Sequence, residues 1–182
     1  MANLRSHISE KSKLRREMRQ RLSELPQAER RMRSLGICER LGPIFEGKKR
    51  LGLFAPTETE PDLDLLWTLR LLEGHVACYP SCEGDQLAFR PITALCELAP
   101  GNFGIRQPPP GPAIEQLDLI VVPGLAFTST GARLGRGRGF YDRLLGAIAR
   151  DTTIIGVCFE FQRLLALPCE THDRNVDFVI SA

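Results

Sequence analysis

The sequence predicts an α/β fold with a mostly parallel central sheet flanked by helices. Apolar segments of strand length alternate with segments of helical periodicity, and this alternation is typical of a parallel sheet. The run 119–122 is apolar throughout, as expected of a central strand that is covered on both faces. At 182 residues, the chain is most simply one domain, spanning 1–182.

The composition is that of an ordinary globular protein, with 43% hydrophobic and 25% charged residues. A formal net charge of +2 creates no large basic field, which argues against nucleic acid as the main partner. No apolar run approaches the ~20 residues of a membrane span, and the first residues lack the apolar core of a signal peptide. We therefore expect a cytoplasmic protein without a membrane partner.

Two helices are predicted at the start of the chain, over 9–25 and about 26–41. The apolar stripe of the first helix consists of Leu14, Met18, Leu22 and Leu25. At ~100° per residue, Lys11 falls on this stripe and Arg15 flanks it, whereas Arg16, Arg19 and Gln20 turn away. Two interpretations of Lys11 and Arg15 stay open. Either their stems are buried and their charges are solvated, or both cations reach an anion across a pocket.

The remaining elements follow from periodicity and from turn residues. Strands are predicted at 51–55, 75–80, 86–90, 119–122, 153–158 and 177–180. Helices are predicted at 62–72, 141–149 and, as a short turn, around 161–165. Residues 91–116 are rich in proline and glycine, which favours a long surface loop, and loops of this length are often functional.

Glu60 follows the predicted strand 51–55, at the position where an open α/β sheet places its ligand crevice. That crevice lies beyond the carboxyl ends of the parallel strands. Glu60 is therefore a candidate binding residue. The alternative is that Glu58 and Glu60 are ordinary acidic residues near the start of the helix 62–72.

The segment 131–143 (GARLGRGRGFYDR) joins a buried strand to a helix and carries glycines at alternate positions, 135, 137 and 139. Glycine permits positive φ and close approach to a ligand, and successive free N–H groups form an anion-binding concavity. The following helix directs its positive end at the same place, and the intervening arginines offer planar donors for phosphate oxygens. These features predict a phosphate cradle.

Neither of the two best-known phosphate motifs is present in this segment. The Gly-Lys-Ser/Thr ending of a P-loop is missing, and the glycine spacing is one residue short of the dinucleotide-binding fingerprint. The alternative is a solvated Arg-Gly turn that touches RNA. Such turns normally lie in long biased tracts, whereas this one is brief and ends at a helix start.

Other reactive side chains form no recognisable constellation. The six cysteines include Cys78 and Cys82, but no second pair completes a zinc site, so we expect small buried apolar residues. Ser129 does not lie in a nucleophile elbow. Asp142 and Asp173 are carboxylates near a cationic phosphate site, where such groups usually hold Mg²⁺.

Three separated motifs resemble the signature of the 5-formyltetrahydrofolate cyclo-ligase family, also called methenyltetrahydrofolate synthetases. The central motif comprises Val122-Pro-Gly-Leu-Ala-Phe127 and Gly131-x-Arg-Leu-Gly-Arg-Gly-x-Gly-Phe-Tyr-Asp142. The flanking motifs are Lys11-x-x-x-Arg15 and Glu170-x-His-Asp173-x-x-x-Asp177. The resemblance covers nearly the whole chain. It implies a single cyclo-ligase domain with a fold similar to the ribose-phosphate isomerase and CoA-transferase group.

The resemblance also implies a reaction: ATP- and Mg²⁺-dependent cyclisation of 5-formyltetrahydrofolate to 5,10-methenyltetrahydrofolate. ADP and phosphate are released through a phosphorylated formyl intermediate, an imidate phosphate. The implied partners are these small molecules, and we expect a monomer. Two alternatives of other classes stay open, namely a relative that binds folate or nucleotide without turnover, and an RNA-binding module.

Site residues are carried over from the resemblance position by position. It implies ATP binding by Lys11, Arg15, Arg133, Leu134, Gly135, Arg136, Gly137, Arg138, Gly139, Phe140 and Tyr141. It implies folate binding by Ala55, Glu60, Phe103, Arg136, Phe140 and Tyr141. It implies magnesium binding by Asp142 and Asp173. For Phe103, a local anchor of the long loop is an equal alternative.

The chain departs from the family pattern at two places. Family members commonly carry Asp where this chain has Thr128, and two tyrosines where it has Phe140-Tyr141. The second change keeps an aromatic face for stacking but removes one hydroxyl. We expect such a loss to alter substrate affinity rather than reaction type.

Overall fold

The structure is a computed structural model that describes residues 2–168 and 174–182, with side chains from Glu10 onward. The helices are α1 (Ala2–Glu24), α2 (Gln27–Leu41), α3 (Leu65–Thr68) and α4 (Phe140–Ala147). The strands are β1 (Arg50–Gly52), β2 (Val76–Glu83), β3 (Gln86–Ile92), β4 (Ala99–Pro100), β5 (Arg106–Gln107), β6 (Leu119–Pro123), β7 (Ala126–Thr128), β8 (Arg133–Leu134), β9 (Thr153–Cys158), β10 (Arg163–Leu164) and β11 (Phe178–Ser181). Short 3₁₀ helices lie at Gly42–Phe45, Leu95–Glu97, Asn102–Gly104 and Glu160–Gln162.

Six strands form the main sheet in the order β11-β9-β6-β1-β2-β3. All neighbours are parallel except β2 and β3, which form an antiparallel hairpin. The register aligns Leu51 of β1 with Leu119 of β6, and Val122 of β6 with Gly156 of β9. The predicted mostly parallel α/β sheet is confirmed. Its central strands are apolar because helices and loops cover both of their faces.

The alternating side chains of β6 show how the two faces are covered. Leu119 and Val121 belong to a buried cluster that includes Met18 of α1 and Ile37 of α2. The intervening Ile120 and Val122 belong to a second cluster that includes Leu145 of α4. Successive strand residues point to opposite faces. The N-terminal helices therefore pack on one side of the sheet, and α4 packs on the other.

Two predicted elements are shorter in the structure than the sequence indicated. The helix predicted at 62–72 is reduced to α3, because i→i−3 bonds such as Trp67 N–H to Asp64 O tighten its first turn. Arg70 then takes a left-handed φ of 58°, which ends the turn. The strand predicted at 51–55 ends at Gly52, although Leu53 N–H still donates to Cys78 O.

Apart from β1, the strands of two or three residues were not predicted from the sequence. The loop predicted at 91–116 contains the hairpin β4–β5 and two 3₁₀ turns. A small second sheet, in the order β10-β7-β8, braces the segment that leads into the 131–143 motif. The turn predicted around 161–165 is a 3₁₀ helix over Glu160–Gln162 followed by β10. Strands of two or three residues are too short to show an alternation.

The cysteine prediction is confirmed for Cys38, Cys78 and Cys158, which are buried, and is wrong for Cys96, which is exposed. Burial raises the pKa of the Cys78 thiol to about 11, so this thiol stays protonated at neutral pH. Cys82 is half-buried, and Cys169 lies outside the described residues. Across 2–168 and 174–182, no helix combines the length and the apolarity that a membrane crossing requires.

Candidate active site

The main cavity of the described chain lies at the carboxyl ends of β1, β2 and β6 and has a volume of about 340 Å³. Its lining includes Ala55 and Glu60 after β1, Cys82 on β2, and Gly124 after β6. The other wall is the loop that precedes α4 together with the start of that helix. The predicted crevice position of Glu60 therefore agrees with the structure.

The wall before α4 is a glycine loop, residues 135–139, which we call the Arg-Gly loop. Gly137 and Gly139 adopt φ values of 101° and 74°, which side chains other than glycine rarely tolerate. Gly139 is the N-cap residue of α4. Within the described ranges, the N–H groups of Arg136, Gly137 and Arg138 donate no hydrogen bond to the protein. Successive unpaired N–H groups beside a helix start suit an anion.

Two arginines of α1 hold the Arg-Gly loop by its carbonyl groups. Arg15 Nε donates to Gly135 O at 3.0 Å, and Arg19 Nη2 donates to Arg136 O at 2.9 Å. Arg19 is exposed, as the helical periodicity predicted, and it nevertheless contacts the loop and lines the cavity. Arg19 lies on the flank of the helix face that carries Lys11, and its long side chain reaches round to the cavity.

Lys11 and Arg15 do face the protein, as the helical periodicity predicted. Lys11 is 9% exposed, and Arg15 is half-buried against the loop. Neither residue is part of the cavity lining, whereas Arg19 is. Contact of Lys11 and Arg15 with a nucleotide therefore stays a prediction.

Arg136 is held by a polar cluster on the opposite wall of the cavity. Its Nε donates to Glu60 Oε1 at 3.0 Å, and its Nη2 lies 3.1 Å from Thr57 Oγ1 and 3.3 Å from Thr59 Oγ1. The second oxygen of Glu60 accepts from the Thr57 N–H and hydroxyl groups, at 3.0 and 2.9 Å. Glu60 is 8% exposed, so its charge is compensated by this ion pair and these hydrogen bonds.

Arg133 and Tyr141 also line the cavity, next to each other. The guanidinium of Arg133 is hydrogen-bonded and ion-paired to Asp142 and donates to Pro123 O at 3.2 Å. It also lies 5.6 Å from the centre of the Tyr141 ring. Burial raises the pKa of the Tyr141 phenol well above its usual range, with a smaller contribution from the nearby Glu60 carboxylate. The phenol therefore stays protonated at neutral pH and can donate a hydrogen bond.

Aromatic rings and arginines alternate at the mouth of the cavity. The Arg138 guanidinium lies 3.7 Å from the centre of the Phe103 ring, and the ring centres of Phe103 and Phe140 are 5.8 Å apart. Arg143 lies over the other aromatic, Phe140, at 5.2 Å. Phe103 is 52% exposed and has a φ of 63°, so the β4–β5 turn presents this ring to the cavity at some backbone cost.

Comparison with known proteins decides the family. A family model described as the 5-formyltetrahydrofolate cyclo-ligase family matches residues 7–182. This chain belongs to the 5-formyltetrahydrofolate cyclo-ligase family. It is therefore a ligase of folate metabolism, as the sequence motifs predicted.

Individual members of the cyclo-ligase family resemble the chain along most of its length. A 5-formyltetrahydrofolate cyclo-ligase of Mycolicibacterium smegmatis is 34% identical, with 94% of this chain and 93% of that protein covered. A mouse protein of the same name is 28% identical over the same shares of the two chains. The NMR structure of a 5,10-methenyltetrahydrofolate synthetase from Aquifex aeolicus has a TM-score of 0.84 and 32% identity, covering 94% of this chain and 89% of that one.

Of the two carboxylates predicted to bind Mg²⁺, the structure describes Asp142 alone. Asp142 lies on the cavity wall, has a side chain 44% exposed, and is paired with Arg133. Asp173 lies outside the described residues. Among the described residues, those around Asp142 included, no three Asp, Glu, His or Cys side chains are grouped for a metal. Magnesium binding by Asp142 and Asp173 therefore stays a prediction.

Thr128, noted above as a departure from the family pattern that the motifs resemble, lies at the end of β7 and outside the cavity lining. Its hydroxyl accepts from the Ala132 N–H at 3.0 Å and lies 2.9 Å from Thr130 Oγ1. It thereby closes the turn between β7 and β8. The Thr128 hydroxyl therefore has a structural role in this turn.

Several cavity residues were not identified from the sequence. In the lining they are Arg19, Thr57, Cys82 and Gln107, and behind it Thr59 and Arg143 contact the lining residues Arg136 and Phe140. A signal existed only for Arg19, because Lys11, Arg15 and Arg19 are spaced by four residues and form one row along α1. The others enter the site through contacts between segments that are far apart in the chain.

Proposed function

We propose that the protein uses ATP and Mg²⁺ to convert 5-formyltetrahydrofolate into 5,10-methenyltetrahydrofolate, with release of ADP and phosphate. The observation that carries this proposal is the Arg-Gly loop, where three successive N–H groups and several arginines border one cavity with aromatic side chains. Such a cavity offers an anion site and stacking surfaces side by side. A triphosphate and a pterin are ligands that need both.

The chemistry explains why a nucleoside triphosphate is needed. A formamide carbon is a poor electrophile, and its oxygen is a poor leaving group. Transfer of the γ-phosphoryl group to the formyl oxygen gives ADP and an imidate phosphate. N10 then attacks the formyl carbon and loses its proton, and the carbon–oxygen bond breaks to release phosphate. Enzymes assist phosphoryl transfer chiefly by positioning and by charge stabilisation.

In this proposal the nucleotide phosphates bind the N–H groups of the Arg-Gly loop and the cations around it. Arg136 and Arg138 belong to that loop, and Arg133 borders the same cavity. Guanidinium groups match phosphate oxygens with paired donors. Lys11 and Arg15 would complete the set from α1. Asp142 and Asp173 would hold Mg²⁺, which neutralises charge on the phosphates when it is bound.

The folate is proposed to lie between the aromatic rings of Phe103 and Phe140 on one side and Glu60 on the other. Phe103 and Phe140 offer ring faces, and the Tyr141 phenol can donate a hydrogen bond. Glu60 would accept from a pterin N–H group, and Ala55 leaves room beside it. The loss of one hydroxyl at Phe140 leaves its stacking face intact.

We infer further that 1–182 works as one domain, as a monomer in the cytoplasm. Segments from α1 to α4 of a single chain build the cavity, which supports a site complete in one subunit. The cysteines that the structure describes are free thiols, which suits a reducing compartment. Sedimentation at micromolar concentration would test the monomer.

A turnover assay tests the proposed reaction directly. Purified protein with MgATP and 5-formyltetrahydrofolate should generate a near-ultraviolet band from the conjugated N5–CH–N10 cation, with one ADP per turnover. Tetrahydrofolate without the formyl group is the control and should leave ATP consumption slow. A folate binder without turnover would give binding but no band. An RNA-binding module would instead show RNA affinity that falls steeply with salt, and folded protein without band or formylfolate-dependent ADP would refute the proposal.

A further inference from the structure

We propose that Arg19 is a positioning residue for the nucleotide: it orients the peptide between Arg136 and Gly137 so that the Gly137 N–H faces the phosphates. This inference rests on the proposed function, since it assigns the Arg-Gly loop to a triphosphate. Arg19 is an exposed side chain, as the sequence predicted, and its hydrogen bond to the Arg136 carbonyl gives it this additional role.

The direction of a carbonyl group fixes the direction of the next N–H group in the chain. In a trans peptide the carbonyl and the N–H of the following residue point in opposite directions, because the peptide unit is planar. Arg19 holds the Arg136 carbonyl on the side of α1, so the Gly137 N–H points to the other side. Arg15 does the same for the preceding unit, whose donor is the Arg136 N–H. Two consecutive N–H groups are thereby turned away from α1.

The glycine conformation agrees with this arrangement. Gly137 has a φ of 101°, whereas Arg136 has a negative φ. Successive N–H groups can converge on one anion when neighbouring residues differ in the sign of φ in this way. Such a loop loses much conformational entropy when it is ordered. Two charge-assisted hydrogen bonds from a helix reduce the number of conformations that the loop can adopt before nucleotide binds.

The position of Arg19 on α1 explains how one helix can impose this order. Lys11, Arg15 and Arg19 lie in one row, four residues apart, and Met18 next to Arg19 is 1% exposed in the core. The helix is therefore anchored to the sheet by its apolar stripe. Its arginines hold two carbonyl groups of the glycine loop, whereas the contacts with the opposite wall are made by the Arg136 and Arg138 side chains.

The test compares Arg19→Ala with Arg16→Ala, which removes the same charge from the same helix. Both side chains are exposed, and Arg19 is the one that donates to the Arg136 carbonyl. We expect Arg19→Ala to raise the Kd of ADP and the KM of ATP about five- to tenfold, as loss of a charge-assisted hydrogen bond does. The Kd of 5-formyltetrahydrofolate and the unfolding temperature should stay unchanged. Arg19→Lys should restore part of the affinity, because an ammonium group can also donate to a carbonyl.

A spectroscopic measurement separates orientation from charge. In the parent protein, the Gly137 amide proton should shift on addition of ADP, because that N–H gains a phosphate acceptor. The shift should be smaller in Arg19→Ala at saturating ADP, and unaltered in Arg16→Ala. Equal loss of ADP affinity in both variants would overturn the proposal and indicate net charge alone. So would an unaltered Gly137 shift in Arg19→Ala.

The outcome also distinguishes this inference from the proposed function. If the parent turns over 5-formyltetrahydrofolate with MgATP but Arg19→Ala behaves like the parent, only the role of Arg19 is refuted. If the parent binds no ADP at all, the assignment of the Arg-Gly loop to a nucleotide fails, and the role of Arg19 fails with it.

Discussion

The two ends of the parallel sheet use similar side chains for different purposes. At the amino end, Asp118 lies just before β6, and its carboxylate accepts the N–H groups of Lys49 and Arg50 at 2.7 and 2.8 Å. Its carbonyl accepts the Thr153 N–H at 3.1 Å. The carboxyl end instead has the Arg-Gly loop, where three N–H groups have no protein acceptor among the described residues.

The two ends differ in whether their polar groups are hydrogen-bonded within the protein. Both ends have a depression with arginine and aspartate, of about 190 Å³ at the amino end and 340 Å³ at the carboxyl end. At the amino end the polar groups satisfy one another and fix the starts of β1, β6 and β9. At the carboxyl end backbone donors are held open by glycine φ values and by arginines from another element. Polar groups that the protein does not satisfy are available to a ligand.

The largest expected effect comes from removing an arginine at the carboxyl end. Arg136→Ala should lower kcat/KM for ATP by about 10- to 150-fold, because a charge-assisted contact of about 1.5–3 kcal/mol is lost. The unfolding temperature should also fall, because the change leaves the Glu60 carboxylate, which is 8% exposed, without its ion-pair partner. Steady-state kinetics with varied ATP and a thermal unfolding scan would measure both.

The matched control is Arg50→Ala at the amino end. The Arg50 guanidinium is 3.4 Å from Asp118 and 36% exposed, so the change should cost less than about 1 kcal/mol of stability. Activity should equal that of the parent. An equal loss of activity in both variants would mean that the comparison between the two ends is mistaken.

A smaller effect is expected at the proposed magnesium carboxylate. Asp142→Asn should raise the Mg²⁺ concentration for half-maximal activity about tenfold, because one anionic ligand oxygen becomes a neutral amide. Magnesium titration at saturating ATP is the measurement. Asp85→Asn is the control, since Asp85 is 77% exposed and lies 3.7 Å from Arg143 near the mouth. Titrations of Asp142→Asn that overlay the parent would remove Asp142 from the metal site.

Most of the fold follows from local patterns in the sequence. Continuous apolar runs such as 119–122 predicted parallel strands, and the four-residue spacing of leucines predicted α1. The carboxyl-end crevice followed from the topology alone, so Glu60 could be placed before any coordinates. The helix at 62–72 was overestimated because its apolar residues suit 3₁₀ turns as well as an α-helix. Arg70 takes a conformation that no periodicity reveals.

The backbone conformation of the Arg-Gly loop was predictable from its alternating glycines, because Gly137 and Gly139 adopt the positive φ values that glycine permits. The site was not predictable where long side chains meet across the sequence. Arg136 and Glu60 are 76 positions apart, and Arg19 and Arg136 are 117 apart. Contacts of this kind depend on the packing of whole elements, which sequence spacing does not encode. The role of Asp173 stays a prediction.

The smallest expected effect, Asp118→Asn, tests the amino end itself. Hydrogen bonds from backbone N–H groups, that of Arg50 first, lower the pKa of the Asp118 carboxyl below its usual range. A lowered folded-state pKa contributes stability that is present above the unfolded-state pKa of about 3.9 and is lost as pH falls through the folded-state value.

Asp118→Asn should therefore lower the free energy of unfolding by about 1 kcal/mol at pH 7, through weaker acceptance of two N–H groups. The difference from the parent should stay constant down to about pH 4 and shrink below it, because the parent then becomes neutral as well. Urea unfolding at several pH values between about 2.5 and 7 would measure this difference in free energy of unfolding.

The control is Asp151→Asn, because Asp151 is exposed in the same depression. Its free energy of unfolding should match that of the parent at every pH. Cyclo-ligase activity at pH 7 should be unchanged in both variants, because this end of the sheet uses its polar groups on itself. A loss of activity in Asp118→Asn without a loss of stability would show that the amino end also serves the reaction.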